Sequence, residues 1–153
     1  MKKPIQCDLL RGECGASLVE MALLMPLFML LLLGTIDLGR AFYLAMEVAG
    51  AAHAAAVYGA QNPTDTAGMQ YAAQYDAPNV PNLTVTNATY GCECSDGTSY
   101  SLSCASIPTC TGLTEVYRID ITVTATYSPL VPWPGIPSSI SLSSSAAMRS
   151  AGS

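Results

Sequence analysis

The chain has 153 residues, half of them apolar and only 11% charged, against roughly a quarter charged in an ordinary soluble domain. That length allows one domain plus an anchor and excludes two full domains. A net charge of −5, with only Arg118 and Arg149 carrying positive charge beyond residue 40, excludes a nucleic-acid or other polyanion partner, because phosphate contacts need clustered Lys and Arg.

Residues 1–15 read as a short cytoplasmic leader. From Met21 to Ile36 no residue is charged, a run of about 24 Å as a helix, slightly short of a ~30 Å hydrocarbon core. Extending it back to Ala16 makes residues 16–36 long enough to cross, and nothing else in the chain could cover a helix that is apolar on every face. A transmembrane helix is therefore predicted over 16–36. Pro26 lies in the second turn of the Met21–Ile36 run, where it is expected to kink the helix rather than end it. Lys2, Lys3 and Arg11 precede the segment and only Arg40 closely follows. This bias keeps the N-terminus in the cytoplasm and sends the rest across a single pass. A cleaved secretory signal fits less well, because Glu20 sits within the segment and the helical pattern runs on without a cleavage site.

Residues 37–61 continue that helix. They are rich in alanine, the strongest helix former, and no proline interrupts before Pro63. Leu38, Phe42, Ala45, Ala49 and Ala52 follow helical spacing, so one helix from Ala16 to Ala60 is predicted, about 65 Å long. A helix of that length is a stalk, or it packs against copies of its own kind. Its glycines and alanines permit close helix–helix approach. Asn62-Pro63 ends it. Asp37 and Arg40, three residues apart, can pair on one face or simply mark the outer membrane boundary. His53 is the only histidine and reads as a surface or packing residue.

The exported part, 62–153, reads as α+β. Thr64 or Asp65 can cap a short helix over 67–75. Leu83–Tyr90 and Tyr117–Tyr127 are rich in β-branched and aromatic residues, and Ser139–Met148 offers a third strand. In the second strand Ile119, Ile121, Val123 and Ala125 share one face, with Asp120, Thr122, Thr124 and Thr126 opposite. Glu115 and Asp120 are expected to face solvent. Between the first two strands, residues 91–112 form a Cys-rich loop expected to be an exposed hairpin extension needing disulfides. Cys92, Cys94, Cys104 and Cys110 lie there, where an exporting topology lets disulfides persist, whereas Cys7 and Cys14 lie in the leader. Bridging Cys92 to Cys94 is geometrically poor, so each is expected to pair with Cys104 or Cys110. Zinc is disfavoured by the tight C-x-C spacing. The fold class is thus a long N-terminal transmembrane helix with a small antiparallel sheet of about three strands. No motif for catalysis, cofactor or small-molecule substrate appears, so the chain is not expected to be an enzyme.

The run Arg11-Gly12-Glu13-Cys14-Gly15-Ala16-Ser17-Leu18-Val19-Glu20-Met21-Ala22-Leu23, then Pro26, then Leu33-Gly34-Thr35-Ile36-Asp37-Leu38-Gly39-Arg40, resembles the TadE-like family of pilin-like proteins of the Tad (Flp, tight-adherence) pilus system. The family pattern has an aromatic residue after the glutamate, where this chain has Met21. The resemblance implies a minor pilin or pseudopilin in the bacterial inner membrane, its C-terminal domain periplasmic or extracellular. It implies cleavage by a prepilin peptidase after Gly15, making Ala16 residue one and Glu20 residue five of the mature chain. Glu20, Pro26, Gly34, Asp37, Gly39 and Arg40 become assembly and helix-packing residues, and the partners are other pilin-like subunits and the Tad assembly platform. The other expectation is a single-pass envelope protein whose disulfide-stapled exported domain binds a partner without joining a filament. A carboxylate in an apolar segment costs roughly 2.5–3.5 kcal/mol at the helix centre. Pairing Glu20 with the new ammonium of a neighbouring cleaved subunit would make it a register device.

Overall fold

The computed structural model describes residues 13–101 and 110–151; most of the leader and Cys104 lie outside them. The elements are α1 (Glu13–Gln61), α2 (Thr66–Asp76), β1 (Thr84–Cys94), β2 (Glu115–Tyr127) and β3 (Ile140–Ala151). The long helix expected over 16–60 is present as a single 49-residue element that continues through Pro26. The chain divides into two units, Met1–Gly39 and Arg40–Ser153.

In the first unit the leucine-rich turns of α1 stand open. Leu18, Leu23 and Phe28 are 72%, 73% and 59% exposed. A helix whose apolar turns are exposed on all sides is long and apolar enough to cross a membrane.

The second unit is α+β, with one core between helices and a three-stranded antiparallel sheet of order β1-β2-β3. Alanine decides how its helix meets the sheet. Val48, Ala51, Ala52, Ala55 and Ala56 are buried at i, i+3, i+4 spacing and join Ile119, Ile121, Val123 and Ala125 of β2. Gly59 extends this small-residue face: a Cβ there would come within 3.0 Å of Ile119 Cγ2 and Met69 Cε. Of the predicted spacing Leu38, Phe42, Ala45, Ala49 and Ala52, only Ala52 is buried; the core face is turned away from the rest.

Two contacts fix the direction of packing. Near its start in this unit α1 places the Arg40 guanidinium 6.0 Å from the Tyr127 ring, and nineteen residues later Gly59 meets Ile119. The helix therefore runs antiparallel to β2. The lengths agree: nineteen helical residues span about 28 Å and the eight strand steps from Ile119 to Tyr127 about 26 Å. The sheet thus has an Arg40 end, carrying Tyr127 and Ile140, and an opposite end carrying Cys92, Cys94 and Glu115.

Helix α2 is capped as its sequence suggests. Asp65 Oδ1 accepts the Gly68 N–H at 2.9 Å, and Oδ2 accepts the Tyr58 hydroxyl at 2.7 Å. Gln70 ties α2 to β1 by donating to the Leu83 carbonyl and accepting the Val85 N–H. The alternation predicted for β2 is present, with Ile119, Ile121, Val123 and Ala125 buried.

The Cys-rich loop differs from expectation at its start. Residues 91–94 are not exposed loop but the buried end of β1. The physical reason is hydrogen bonding on both sides of this stretch. Cys92 and Cys94 face Tyr117 and Glu115 across the β2 ladder. On the other side Cys92 exchanges two backbone hydrogen bonds with Ser101, and the Cys94 N–H donates to the Thr98 carbonyl. Residues 98–101 thus fold back along β1 as a clasp.

Candidate functional site

The sequence places its candidate residues along α1, and the helix spreads them out. Gly15 and Ala16 lie in its first turn. Glu20, Pro26, Gly39 and Arg40 are exposed, Gly34 is half-buried, and Asp37 is 4% exposed. At 3.6 residues per turn Pro26, Asp37 and Arg40 point within about 60° of one another, whereas Gly39 points to the opposite side. Glu20 lies about 25 Å from Asp37 along the axis and about 100° around it. These positions form no compact pocket; they are points on a linear surface.

Past Arg40 the exposed apolar side chains lie on the side of the helix facing away from the Arg40 side chain. Phe42 and Met46 are 64% and 66% exposed, and one turn-spaced line carries on through Ala49, His53 and Val57. It lies on the side of α1 away from the alanines of the core. His53 stands exposed on it, matching the surface reading. The only ionisable side chain nearby with a displaced pKa is Tyr43, raised by its hydrogen bond to Glu47 one turn on and by that carboxylate's charge.

The opposite end of the sheet holds a group the sequence did not announce. On the solvent-side face, Arg118 of β2 stands directly across from Gly91 of β1 and Arg149 of β3. Its guanidinium grips Asp120 through two bonds of 2.9 Å and donates to Glu93 Oε2 at 3.1 Å. Arg149 donates from Nε to the other oxygen of Glu93. Glu93 is fully buried, beneath the clasp, while Arg118 and Arg149 keep 35% and 53% of their side chains exposed. Tyr100 of the clasp lies over the Arg118 guanidinium at 5.5 Å. Hydrogen bonds from Arg118 to Asp120 and Glu93 hold its pKa far above the ordinary arginine value. Two carboxylates and two guanidiniums cancel, so the cluster is neutral and satisfied within itself. It holds the clasp down. Asp120 lies on the solvent-side face as expected and is ion-paired there with Arg118, while Glu115 is exposed.

The cysteines reinforce the same end. Cys94 and Cys110 are joined by a disulfide, and Cys92 is disulfide-bonded as well. The Cys94–Cys110 link is one of the pairings expected. Asp96 anchors the turn of the clasp: its carboxylate accepts the backbone N–H and hydroxyl of Thr98, and those bonds lower its pKa.

Glu93 was illegible because its role depends on register. Only the pairing of Gly91 with Arg118 brings it between two arginines that lie 25 and 56 residues away. The one local signal was a glutamate set between two cysteines.

Residues 15–57 match the family model described as TadE-like protein. No curated protein and no solved structure matches the chain. The matched span covers most of α1, including the bare apolar turns and the alanine face, so α1 is the part of the chain that is similar to a TadE-like protein.

Proposed function

We propose that this chain is a minor pilin or pseudopilin of the Tad (Flp) pilus system, held in the bacterial inner membrane by α1 until assembly. The observation that carries this reading is the uncovered apolar surface of α1. It runs from Leu18 through the leucine turns and on to Phe42, Met46 and Val57, far longer than a bilayer requires. An anchor alone needs only its first half. The second half has apolar side chains that the chain's own domain leaves open, which suits packing against other pilin-like helices.

In this reading residues 1–15 stay in the cytoplasm and the sheet domain is exported, where its disulfides persist. A prepilin peptidase cuts after Gly15, and Glu20 as fifth residue pairs with the ammonium of a neighbouring subunit. The chain carries no catalysis and takes no cofactor; its partners are pilin-like subunits and the assembly platform. The disulfide-braced clasp favours a second reading, a single-pass envelope protein whose exported domain binds a partner outside any filament.

Mass spectrometry of membrane-extracted chain from cells with and without the peptidase separates the two. The proposal expects an N-terminus at Ala16 only when the peptidase is present. A chain beginning at Met1 in both cells favours the envelope reading.

A further inference from the structure

The hairpin connection between β2 and β3, residues 128–139, reads Ser-Pro-Leu-Val-Pro-Trp-Pro-Gly-Ile-Pro-Ser-Ser and contains no charged residue. Connections on a soluble surface are ordinarily polar, because their backbone groups face water. This one exposes large apolar side chains instead: Leu130 is 59% and Ile136 49% exposed, with Val131 and Trp133 half-buried beside them. Its four prolines remove backbone donors that would otherwise need water. A turn closed by the Ile136 N–H on the Trp133 carbonyl, with Gly135 at φ 87°, satisfies part of what remains.

The position of this connection gives its composition a meaning. It leaves the sheet at Tyr127 and returns at Ile140, which are cross-strand partners. Tyr127 is the residue whose ring faces the Arg40 guanidinium. Arg40 lies only four residues, about 6 Å of helix, past Ile36, where the uncharged run ends. The apolar connection is thus carried at the Arg40 end of the sheet, and Arg40 follows the uncharged run by only a few residues of chain. The opposite end carries the ionic cluster and the disulfides.

We infer that residues 128–139 form a second membrane contact, in which Trp133, Leu130 and Ile136 enter the headgroup–acyl boundary of the bilayer that α1 spans. The inference rests on the membrane-anchoring part of the proposed function. Tryptophan suits that boundary because its ring is apolar and its N–H stays wet. Without charge in the connection, the contact is driven by apolar burial and not by anionic lipid, so salt and lipid charge should leave it unchanged. Its effect is to add a second attachment to the one α1 provides.

Trp133 is the only tryptophan, so its fluorescence reports this connection alone. The full chain is reconstituted into phosphatidylcholine vesicles with and without phosphatidylglycerol, and flotation establishes whether it is anchored. Phosphatidylcholine brominated near the headgroup end of its acyl chains should quench Trp133 by about twofold or more, as for an interfacial indole. Bromines near the bilayer centre should quench less, and aqueous acrylamide weakly. Leu130→Ser with Ile136→Ser should float equally well yet lose most of the bromolipid quenching. A chain that floats while Trp133 stays open to acrylamide and untouched by bromolipid overturns the inference and leaves the anchor standing. Protection from both quenchers means that protein covers the connection, which also overturns it. A chain that does not float overturns the anchor and this inference together.

Discussion

Arg118 and Arg149 stand directly opposite each other on β2 and β3, and both donate to the same buried carboxylate, Glu93. Like charges facing across an antiparallel pair repel. The arrangement holds because Glu93 takes one hydrogen bond on each oxygen and Asp120 engages the rest of Arg118. Glu93→Ala is therefore expected to destabilise the oxidised protein by about 2–4 kcal/mol, towards the lower end for a buried pair because both arginines reach solvent. Adding Arg149→Leu should recover part of that loss. Thermal unfolding of the single and double variants in detergent checks this, and additive losses would show that repulsion between the two arginines is not the cause.

The clasp over Glu93 depends on Gly91 having no side chain. A Cβ at that position would lie 2.5 Å from the Ser101 carbonyl oxygen and 2.8 Å from the Tyr100 ring. The first obstacle is backbone, which cannot rotate aside. Gly91→Ala should lift residues 98–101 from β1 and cost about 2 kcal/mol. Hydrogen exchange at the Cys92 and Ser101 amides, which are bonded to each other's carbonyls, should accelerate by more than tenfold. Unchanged protection would mean that the clasp tolerates a methyl group.

The Cys94–Cys110 disulfide closes a loop with a sequence separation of 16. By loop-closure entropy it contributes about 3 kcal/mol. Replacing both cysteines with alanine should lower the unfolding midpoint in urea and steepen the transition, because the unfolded chain freed of the link exposes more surface. An unchanged slope would show that the link does not act by constraining the unfolded chain.

The pH dependence of α2 follows from Asp65. The Gly68 N–H, and then the Tyr58 hydroxyl, favour its ionised form and depress its pKa in the folded state. A depressed pKa stabilises above the unfolded value of about 3.9, and that stability is lost as pH falls through the lower folded value. Asp65→Asn should therefore unfold at lower temperature than the parent near neutral pH, and the gap should close below about pH 4. A gap constant across that range would show that the carboxylate's charge plays no part.

Glu20 gives the prediction nearest to function. Glu20→Leu removes a charge that costs roughly 2.5–3.5 kcal/mol when placed mid-bilayer, so insertion should be unimpaired. Incorporation into sheared filaments, compared with the amount in the membrane fraction, should fall by about tenfold, which corresponds to about 1.4 kcal/mol. Equal incorporation would remove the register role proposed for this carboxylate.

How much of this was legible in the sequence depended on the range of the interaction responsible. The long helix could be read because each turn repeats the same apolar or alanine choice, and Asn62-Pro63 stops it. Strand β2 could be read because Ile119, Ile121, Val123 and Ala125 alternate with threonines, a local period of two. The end of β1 could not. Gly91, Cys92, Glu93 and Cys94 include no strong strand former, and they are strand because β2 lies on one side and the clasp on the other. The same is true of Glu93, whose meaning is set by residues far along the chain. The core face of α1 was missed for a different reason. When nearly every residue is small or apolar, periodicity alone does not say which face the sheet covers, and only Val48 and the Gly59 approach to Ile119 mark it.

The antiparallel run of α1 against β2 also sets how the domain bears load. A pull applied at the Cys94 end and resisted at Arg40 acts along the strands, at right angles to the hydrogen bonds that join them. Such a pull passes from the strands to α1 through the packed face they share, which it loads in shear along its length, and it does not peel the ladder bond by bond. The covalent links sit at the loaded tip, where fraying would begin. The sheet is thus oriented as a tension member, stiffest in the direction from its braced tip to the helix.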